Sequence, residues 1–375
     1  MGASSDIAVI GGGLVGTAIA LGLLRSGAHV ALYDPLEDDF HASAGNFGLV
    51  WVQGKGLDAP HYAALTRRSA ARWDAFADEI AEKGGTDPHY RRCGGAKIAL
   101  DEEEFAALRA TSLRMHNRQP DEAANAKVDL IDGATLRSRV PHVSAEAVGA
   151  LWCDEDGHAD PLATLTALRR TLIHHPRVRI VRARVDSLCA DGNGFRFESS
   201  GASETAGKVV VAAGLGAAGL GETVGLHAPV RPQRGQILVT ERMPPFLDVA
   251  CHTVRQTGQG TVLMGDSKED VGFDRGTLPS VGAAMARRAA RMFPILKTAR
   301  VVRQWGALRV MSPDGVPVYA QSESHPGAML VTCHSGVTLA AAHAGEVADA
   351  IVAGTLGRDY RAFSPDRFAK EGANA

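Results

Sequence analysis

The apolar positions of this chain fall into short runs of strand length, most of them closed by a glycine or a polar turn. Asp6–Ile10 (D-I-A-V-I) runs directly into G-G-G-L-V-G, and His29–Tyr33 ends at Asp34. Val178–Leu188 reads as one or two strands, and Lys208–Ala213 is closed by Gly214. Gln236–Thr240, Val249–Gln256 and Thr261–Gly265 are strand-like and sit near turn signals. At the far end, Ala328–Thr332 passes through Cys333-His334-Ser335-Gly336-Val337-Thr338 into a small-residue helix expected over Leu339–Val352. Between these runs, Gly157, Asp160 and Pro161 spell G-x-x-D-P, which predicts Asp160 as a helix N-cap with Pro161 at the first helical position.

One stretch imitates a membrane span. Ile7–Leu24 carries no charge over 18 residues. Asp6 precedes it instead of a basic segment, and Gly11, Gly12, Gly13, Gly16 and Gly22 interrupt it, so a glycine-rich strand–turn–helix is the reading. A soluble, cytoplasmic protein with no transmembrane segment is expected. The length of 375 residues suggests two domains at about 150 residues each. With 40 Lys+Arg against 42 Asp+Glu, the net charge of −2 gives no reason to expect nucleic acid as a partner. Glycine is in excess at 42 residues, against a usual share of about 7%. The five dispersed cysteines contain no C-x-x-C pair, which argues against a disulfide framework or a cysteine-held metal. No metal-binding motif is found.

The glycines concentrate where chemistry is expected. Gly11, Gly13 and Gly16 satisfy G-x-G-x-x-G between a strand and a helix, the arrangement that cradles a dinucleotide pyrophosphate. Ala20, Leu23, Gly27 and Val30 fall where that helix packs and hands over to the next strand. Asp34, 23 residues after Gly11, is placed to accept hydrogen bonds from an adenosine ribose and disfavours a 2′-phosphate. NADP is therefore disfavoured, while NAD and FAD remain. Two further segments favour a flavin. Ser43, Asn46 and Gly48 form a polar cluster just past the second strand. The terminal strand–turn–helix around His334 and Gly336 aims helical N–H groups at a bound group, a feature an NAD dehydrogenase leaves unexplained.

Taken together, these motifs resemble the FAD-dependent amine and amino-acid oxidoreductases of the D-amino-acid oxidase, glycine oxidase and sarcosine oxidase superfamily. The resemblance spans nearly the whole chain and includes P-Q-R-G-Q at 232–236 and G-A-L-R-V-M-S-P-D-G-V-P at 306–317. Segments 45–56, 254–257 and 264–270 look most like the branch holding the flavin subunits of opine oxidases, hydrogen cyanide synthase and D-hydroxyproline dehydrogenase. The resemblance implies an α/β fold: a Rossmann-like FAD-binding domain built from 1–85, 145–225 and 305–375. An interleaved α+β substrate domain from 86–144 and 226–304 would carry an antiparallel sheet. It further implies non-covalent FAD held by Gly11, Gly13, Leu14, Val15, Gly16, Asp34, Ser43, Asn46, Gly48, Val185, Gly214, Gly306, Arg309, Gly336, Val337 and Thr338. The family usually has Glu where Asp34 stands, and glycine where Cys333 stands.

The implied activity is oxidation of a D-amino acid or a secondary amine bearing an α-carboxylate, D-hydroxyproline- or opine-like, to the imine by hydride transfer to flavin N5. A sarcosine- or glycine-oxidase-like activity is the alternative. Such a substrate needs a cation for its carboxylate, best met by an arginine with two parallel donors. Arg309 is the first candidate, and Arg255 with Gln256 the second. Trp51, Gln53 and Lys55 are placed to line the site or the flavin edge. His252 has the parity opposite to Arg255, which reads as a satisfied core or surface histidine. His334 reads as turn-stabilising or flavin-proximal and not as a base. His174 and His175, and the acidic runs Glu37–Asp39 and Asp101–Glu104, read as solvated. Two other classes stay open: an NAD-dependent dehydrogenase, and a flavin-binding subunit that relays electrons to partner subunits in a hetero-oligomer.

Overall fold

In the computed structural model, residues 5–35, 42–117 and 127–369 are described. The acidic run Glu37–Asp39 lies outside them. The chain opens with strand β1 (Ser5–Ile10), helix α1 (Leu14–Arg25) and strand β2 (Val30–Tyr33). The turn between β1 and α1 needs glycine. Gly11 has φ +111°, and a Cβ there would lie 2.4 Å from the Ala212 carbonyl oxygen.

β1 is central in an eight-stranded sheet. Ala328–Thr332, Ala202–Val211, β1, β2 and Val178–Val181 run parallel in that spatial order. Val318–Gln321 closes one edge antiparallel, and an antiparallel hairpin of Val185–Asp191 and Gly194–Ser199 extends Ala202–Val211. The predicted run Val178–Leu188 is thus two strands. α1 packs on the sheet with Pro161–Ile173 and the C-terminal helical segment beside it. That parallel core is buried from both faces, which explains why its strands read as continuous apolar runs.

Two further four-stranded sheets, and a two-stranded antiparallel pairing of Leu49–Val50 with Gly157–His158, accompany it. One joins Arg231–Arg242 antiparallel to Val301–Met311 and, on its other side, to Thr261–Met264 and Val254–Gln256. The other contains Gly95–Ala99, Val128–Asp132, Gly149–Cys153 and Ala250–Cys251. A separate apolar core, including Ile98, Trp152, Leu238, Val254, Met292 and Phe293, lies between them. The fold is therefore α/β, a Rossmann-like region with additional sheets and helices.

Three local expectations change. Val249–Gln256 is two short strands in different sheets, because the chain crosses from one sheet to the other at His252–Thr253. The terminal helix is interrupted: α-helix over Ala340–Ala342, a π-helical turn over His343–Val347, then α-helix over Ala348–Ala353, with Gly345 at φ −114°, ψ −111°. Glu104 is also more than a solvated charge. It pairs with Arg288 through two bonds of 2.6 and 2.9 Å and accepts from the Leu100 amide. Asp160 caps its helix as predicted, accepting from Leu162 and Ala163 N–H with Pro161 following.

Candidate active site

Three turns that are remote in sequence meet at the start of α1. The Gly11–Gly13 turn abuts Ala212 and Ala213, immediately before Gly214, which itself has φ +57°. Gly336 faces Val15 at 3.4 Å for an added Cβ, and a Cβ on Gly13 would lie 3.0 Å from Ser43 Oγ. Ser43 Oγ accepts from the Leu14 amide at 2.9 Å, so a small hydroxyl stands at the first helical N–H groups. Such a helix start favours phosphate oxygens. At the end of β2, Asp34 is buried and accepts from the Gly12 amide at 2.6 Å. The Arg169 guanidinium donates to the Gly12 carbonyl at 2.9 Å and stands 3.8 Å from the Asp34 carboxylate. The Asp34 amide donates to Val181, just upstream of buried Val185. Backbone turns, a helix start and a buried carboxylate at the strand end fit the pyrophosphate and ribose of an ADP-bearing cofactor.

A cavity of about 480 Å³ lies between the 42–55 segment, the terminal turn and the antiparallel sheet. Its walls include Asn46, Trp51, Gln53, Lys55, Arg309, Cys333, His334, Val337 and Thr338. The 46–51 segment is held locally and from afar. Asn46 Oδ1 accepts from the Gly48 amide at 2.8 Å, and Thr338 Oγ1 accepts from Trp51 N–H and donates to the Leu49 carbonyl, both at 3.1 Å. Trp73 Nε1 donates to the carbonyls of Val337 and Thr338, fixing the terminal turn from behind.

Arg309 reaches the cavity because Gly235 on the neighbouring strand leaves room. A Cβ at Gly235 would lie 2.7 Å from the guanidinium. Arg309 Nη1 donates to the Ser267 carbonyl at 2.8 Å, and burial lowers its pKa against the opposing pull of Asp266 and Glu269. Lys55 Nζ donates to Ser335 Oγ at 2.9 Å and lies 3.3 Å from His334 Nε2, and Tyr62 Oη meets the same Ser335 hydroxyl at 2.7 Å. Burial pulls the Lys55 ammonium down to about 8. The Lys55 charge, then burial, Arg309 and Lys268 hold His334 well below the usual histidine range, so it is neutral near pH 7. Behind Gln53, Asp156 is fully buried, accepts from the Val52 amide and from Gln53 Nε2 at 2.7 Å, and is pushed up to about 7 by desolvation.

Other sequence candidates lie elsewhere. Arg255 is buried, with its guanidinium over the Phe47 ring and Nη1 3.5 Å from His158 Nδ1, so it supports the 46–48 segment from outside the cavity wall. Gln256 spends its amide on backbone: Oε1 accepts from Phe246 and Leu247, and Nε2 donates to Met243, Pro244 and Gly260. Neither touches the cavity, so neither is placed to act on a substrate there. Gly306 faces the carbonyls of Arg275 and Gly276 and the Arg234 stem, and the cavity wall begins only at Ala307. Conversely, His252 lines the cavity beside Trp51, 3.5 Å from Asp266. Strand parity misplaces this histidine because the strand breaks there. Lys97, Asp266 and Lys268 also line the cavity. The last two belong to M-G-D-S-K-E-D, whose distinctive composition was the available signal, whereas Lys97 carried none. His174 is exposed at a helix end, as expected.

Among the described residues no cluster of three His, Cys, Asp or Glu could hold a metal, and no helix is long and apolar enough to cross a membrane. A dinucleotide-type strand–turn–helix and a cationic cavity against an antiparallel sheet fit a flavin-dependent oxidoreductase. The chain belongs to the FAD dependent oxidoreductase family known as DAO, whose model matches residues 6–350. It is 39% identical over 367 residues to one of the subunits of opine oxidase from Rhizobium meliloti, covering 97% of each chain. It is 27% identical over 362 residues to the HcnC subunit of hydrogen cyanide synthase from Pseudomonas aeruginosa, covering 85% of each. The fold matches the crystal structure of glycine oxidase from Geobacillus kaustophilus with a TM-score of 0.83, at 23% identity over 95% of both chains. FAD is the cofactor, and the chemistry is oxidation of CH–NH or CH–NH₂ donors that are amino-acid-like.

Proposed function

We propose that this chain oxidises an α-carboxylated amine, a D-amino acid or an opine-like secondary amine, to the corresponding imine. The observation that carries this reading is the cavity's charge: among the described residues Lys55, Lys97, Lys268 and Arg309 face it against the one carboxylate of Asp266. Arg309 anchors the substrate carboxylate, since its planar fork matches two carboxylate oxygens and its Nη1 bond to Ser267 fixes its orientation. The positive potential of Lys55 lowers the proton affinity of His334 and makes it a poor base, so His334 with Ser335 holds the terminal turn and leaves amine deprotonation to solvent. Gly11, Gly13, Leu14, Val15, Gly16, Asp34, Ser43 and Gly214 hold the ADP half of a non-covalent FAD, with Val185 beside the adenosine. Asn46, Gly48, Gly336, Val337 and Thr338 border its isoalloxazine half. The chemistry supplied by the bound flavin is two-electron acceptance of a hydride from the carbon bearing nitrogen. The protein's part is alignment and electrostatics.

The test is an anaerobic titration of the purified FAD-loaded protein with D-amino acids, cyclic imino acids, sarcosine and opines, with L-enantiomers as controls. Bleaching of the visible flavin bands by an α-carboxylated amine supports the reading, and no bleaching by any of them overturns it. A second reading, a flavin subunit that hands electrons to a partner, is favoured by the 39% identity to a protein that is itself one subunit of an opine oxidase. It predicts anaerobic bleaching with slow reoxidation by air.

A further inference from the structure

We propose that the space between helices Glu102–Asn117 and Pro279–Met292 is a second substrate pocket. It receives the nitrogen-linked arm of an N-(carboxyalkyl) amino acid. The proposal rests on the amine-oxidation reading and concerns a part of the molecule that a small amino acid does not need.

A cavity of about 600 Å³ lies there, within the range of small-molecule sites. Helical spacing builds its walls: Glu104, Ala107, Leu108 and Thr111 share one face, and Val281, Ala284, Met285, Arg288 and Met292 share the face opposite. The two helices are clasped by Arg288 and Glu104. That pair satisfies both charges, so the lining beyond it is mainly apolar, with Ile98, Leu108, Met285 and Met292 contributing the largest side chains.

The chamber adjoins the cationic site. Lys97, Thr111, His252 and Asp266 line both cavities. Asp266 adopts φ +83°, a conformation that non-glycine residues hold where surrounding structure enforces it, often at functional sites. Its carboxylate faces His252 at 3.5 Å and Lys268 at 4.0 Å. Lys97 has no ion-pair partner among the described residues and stands at the junction as an available cation. Across the two adjoining cavities the order is therefore Arg309, then the shared wall of His252, Asp266 and Lys97, then an apolar slot. A ligand complementary to that order carries one carboxylate for Arg309 and a second, close to the nitrogen, for Lys97. Beyond these comes an alkyl chain for the slot. That is an iminodicarboxylate with an extended arm, and its secondary amine lies between the two carboxylates.

The test uses the FAD-loaded protein and two thioethers that cannot be oxidised to an imine. Methylthioacetate carries one carboxylate, and 2-(carboxymethylthio)hexanoate carries two plus a butyl arm. Dissociation constants come from the perturbation of the flavin absorbance. The dicarboxylate is expected to bind at least 10-fold tighter than methylthioacetate. Ala284→Phe, which fills the slot on a helix outside the flavin cradle, should weaken the dicarboxylate at least 10-fold and methylthioacetate less than 2-fold. Lys97→Met should reduce the preference for the dicarboxylate by a similar factor. Equal affinity of the two thioethers for the unmodified protein, or equal weakening of both by Ala284→Phe, would overturn the proposal. Retained flavin absorbance reports that each variant is folded. If no amine bleaches the flavin, the amine-oxidation reading fails separately, because the thioether titration does not depend on turnover.

Discussion

Arg309 and Ser267 lie 42 positions apart in the chain, yet the Arg309 guanidinium donates to the Ser267 carbonyl at 2.8 Å. This bond pins one edge of the guanidinium to the protein while Arg309 lines the cavity. Arg309→Lys keeps the charge and loses both the pinned edge and the fork. A charge-assisted hydrogen bond contributes about 1.5–3 kcal/mol, so substrate affinity should fall by roughly 10- to 150-fold. Flavin content should be unchanged. Steady-state KM, with the flavin-to-protein absorbance ratio, checks both expectations.

Burial lowers the Lys55 ammonium to about 8, so the cavity loses a positive charge as pH rises through that value. Binding of a carboxylate ligand such as methylthioacetate should weaken between pH 7 and 9.5, and Lys55→Met should remove that inflection. The same shift has a stability sign. Between about 8 and the ordinary lysine value of 10.5, the unfolded chain binds more protons, so this group's contribution favours folding increasingly as pH rises.

Asp156 titrates in the opposite sense, with its carboxyl raised from 3.8 to about 7 by burial. Its stabilising contribution is full below the unfolded value and is lost as pH rises through about 7. Asp156→Asn should remove one proton's worth of slope. Relative to the unmodified protein, the variant should gain stability between pH 4.5 and 7.5. Denaturant midpoints at the two pH values read the change.

Gly11→Ala places a methyl group 2.4 Å from the Ala212 carbonyl oxygen at a positive φ. A strained backbone of this kind costs about 1–3 kcal/mol, and the displaced turn moves the helix start away from the phosphates. The variant should melt at lower temperature and purify with less than a tenth of the flavin. Absorbance of the purified protein and of the denatured supernatant measures that, and release of all flavin on denaturation checks the non-covalent attachment.

The dinucleotide end is readable from the sequence because its chemistry is local. Gly11, Gly13, Gly16 and Asp34 lie within one strand–helix–strand unit, where spacing along the chain dictates spacing in space. The caps and turns at Asp160 and Asn46 are readable for the same reason. The substrate end is legible only in part. Arg309 lines the cavity as its motif implies, whereas the motif holding Arg255 and Gln256 implies a site role that their contacts do not support. Their side chains instead brace a loop and saturate backbone groups. His252 escapes the alternation rule because that rule assumes a continuous strand, and here the chain changes sheets at that residue.

By itself the sequence determined a Rossmann-like flavin cradle and the strands around it, since steric limits on glycine turns and apolar periodicity act over a few residues. Only the tertiary structure decided which charges share a cavity. Lys55 and Ser335 are 280 residues apart and 2.9 Å from one another. Lys97, His252 and Asp266 converge from separate segments to line two adjoining cavities. Such meetings depend on how sheets and helices pack, and no local spacing encodes them.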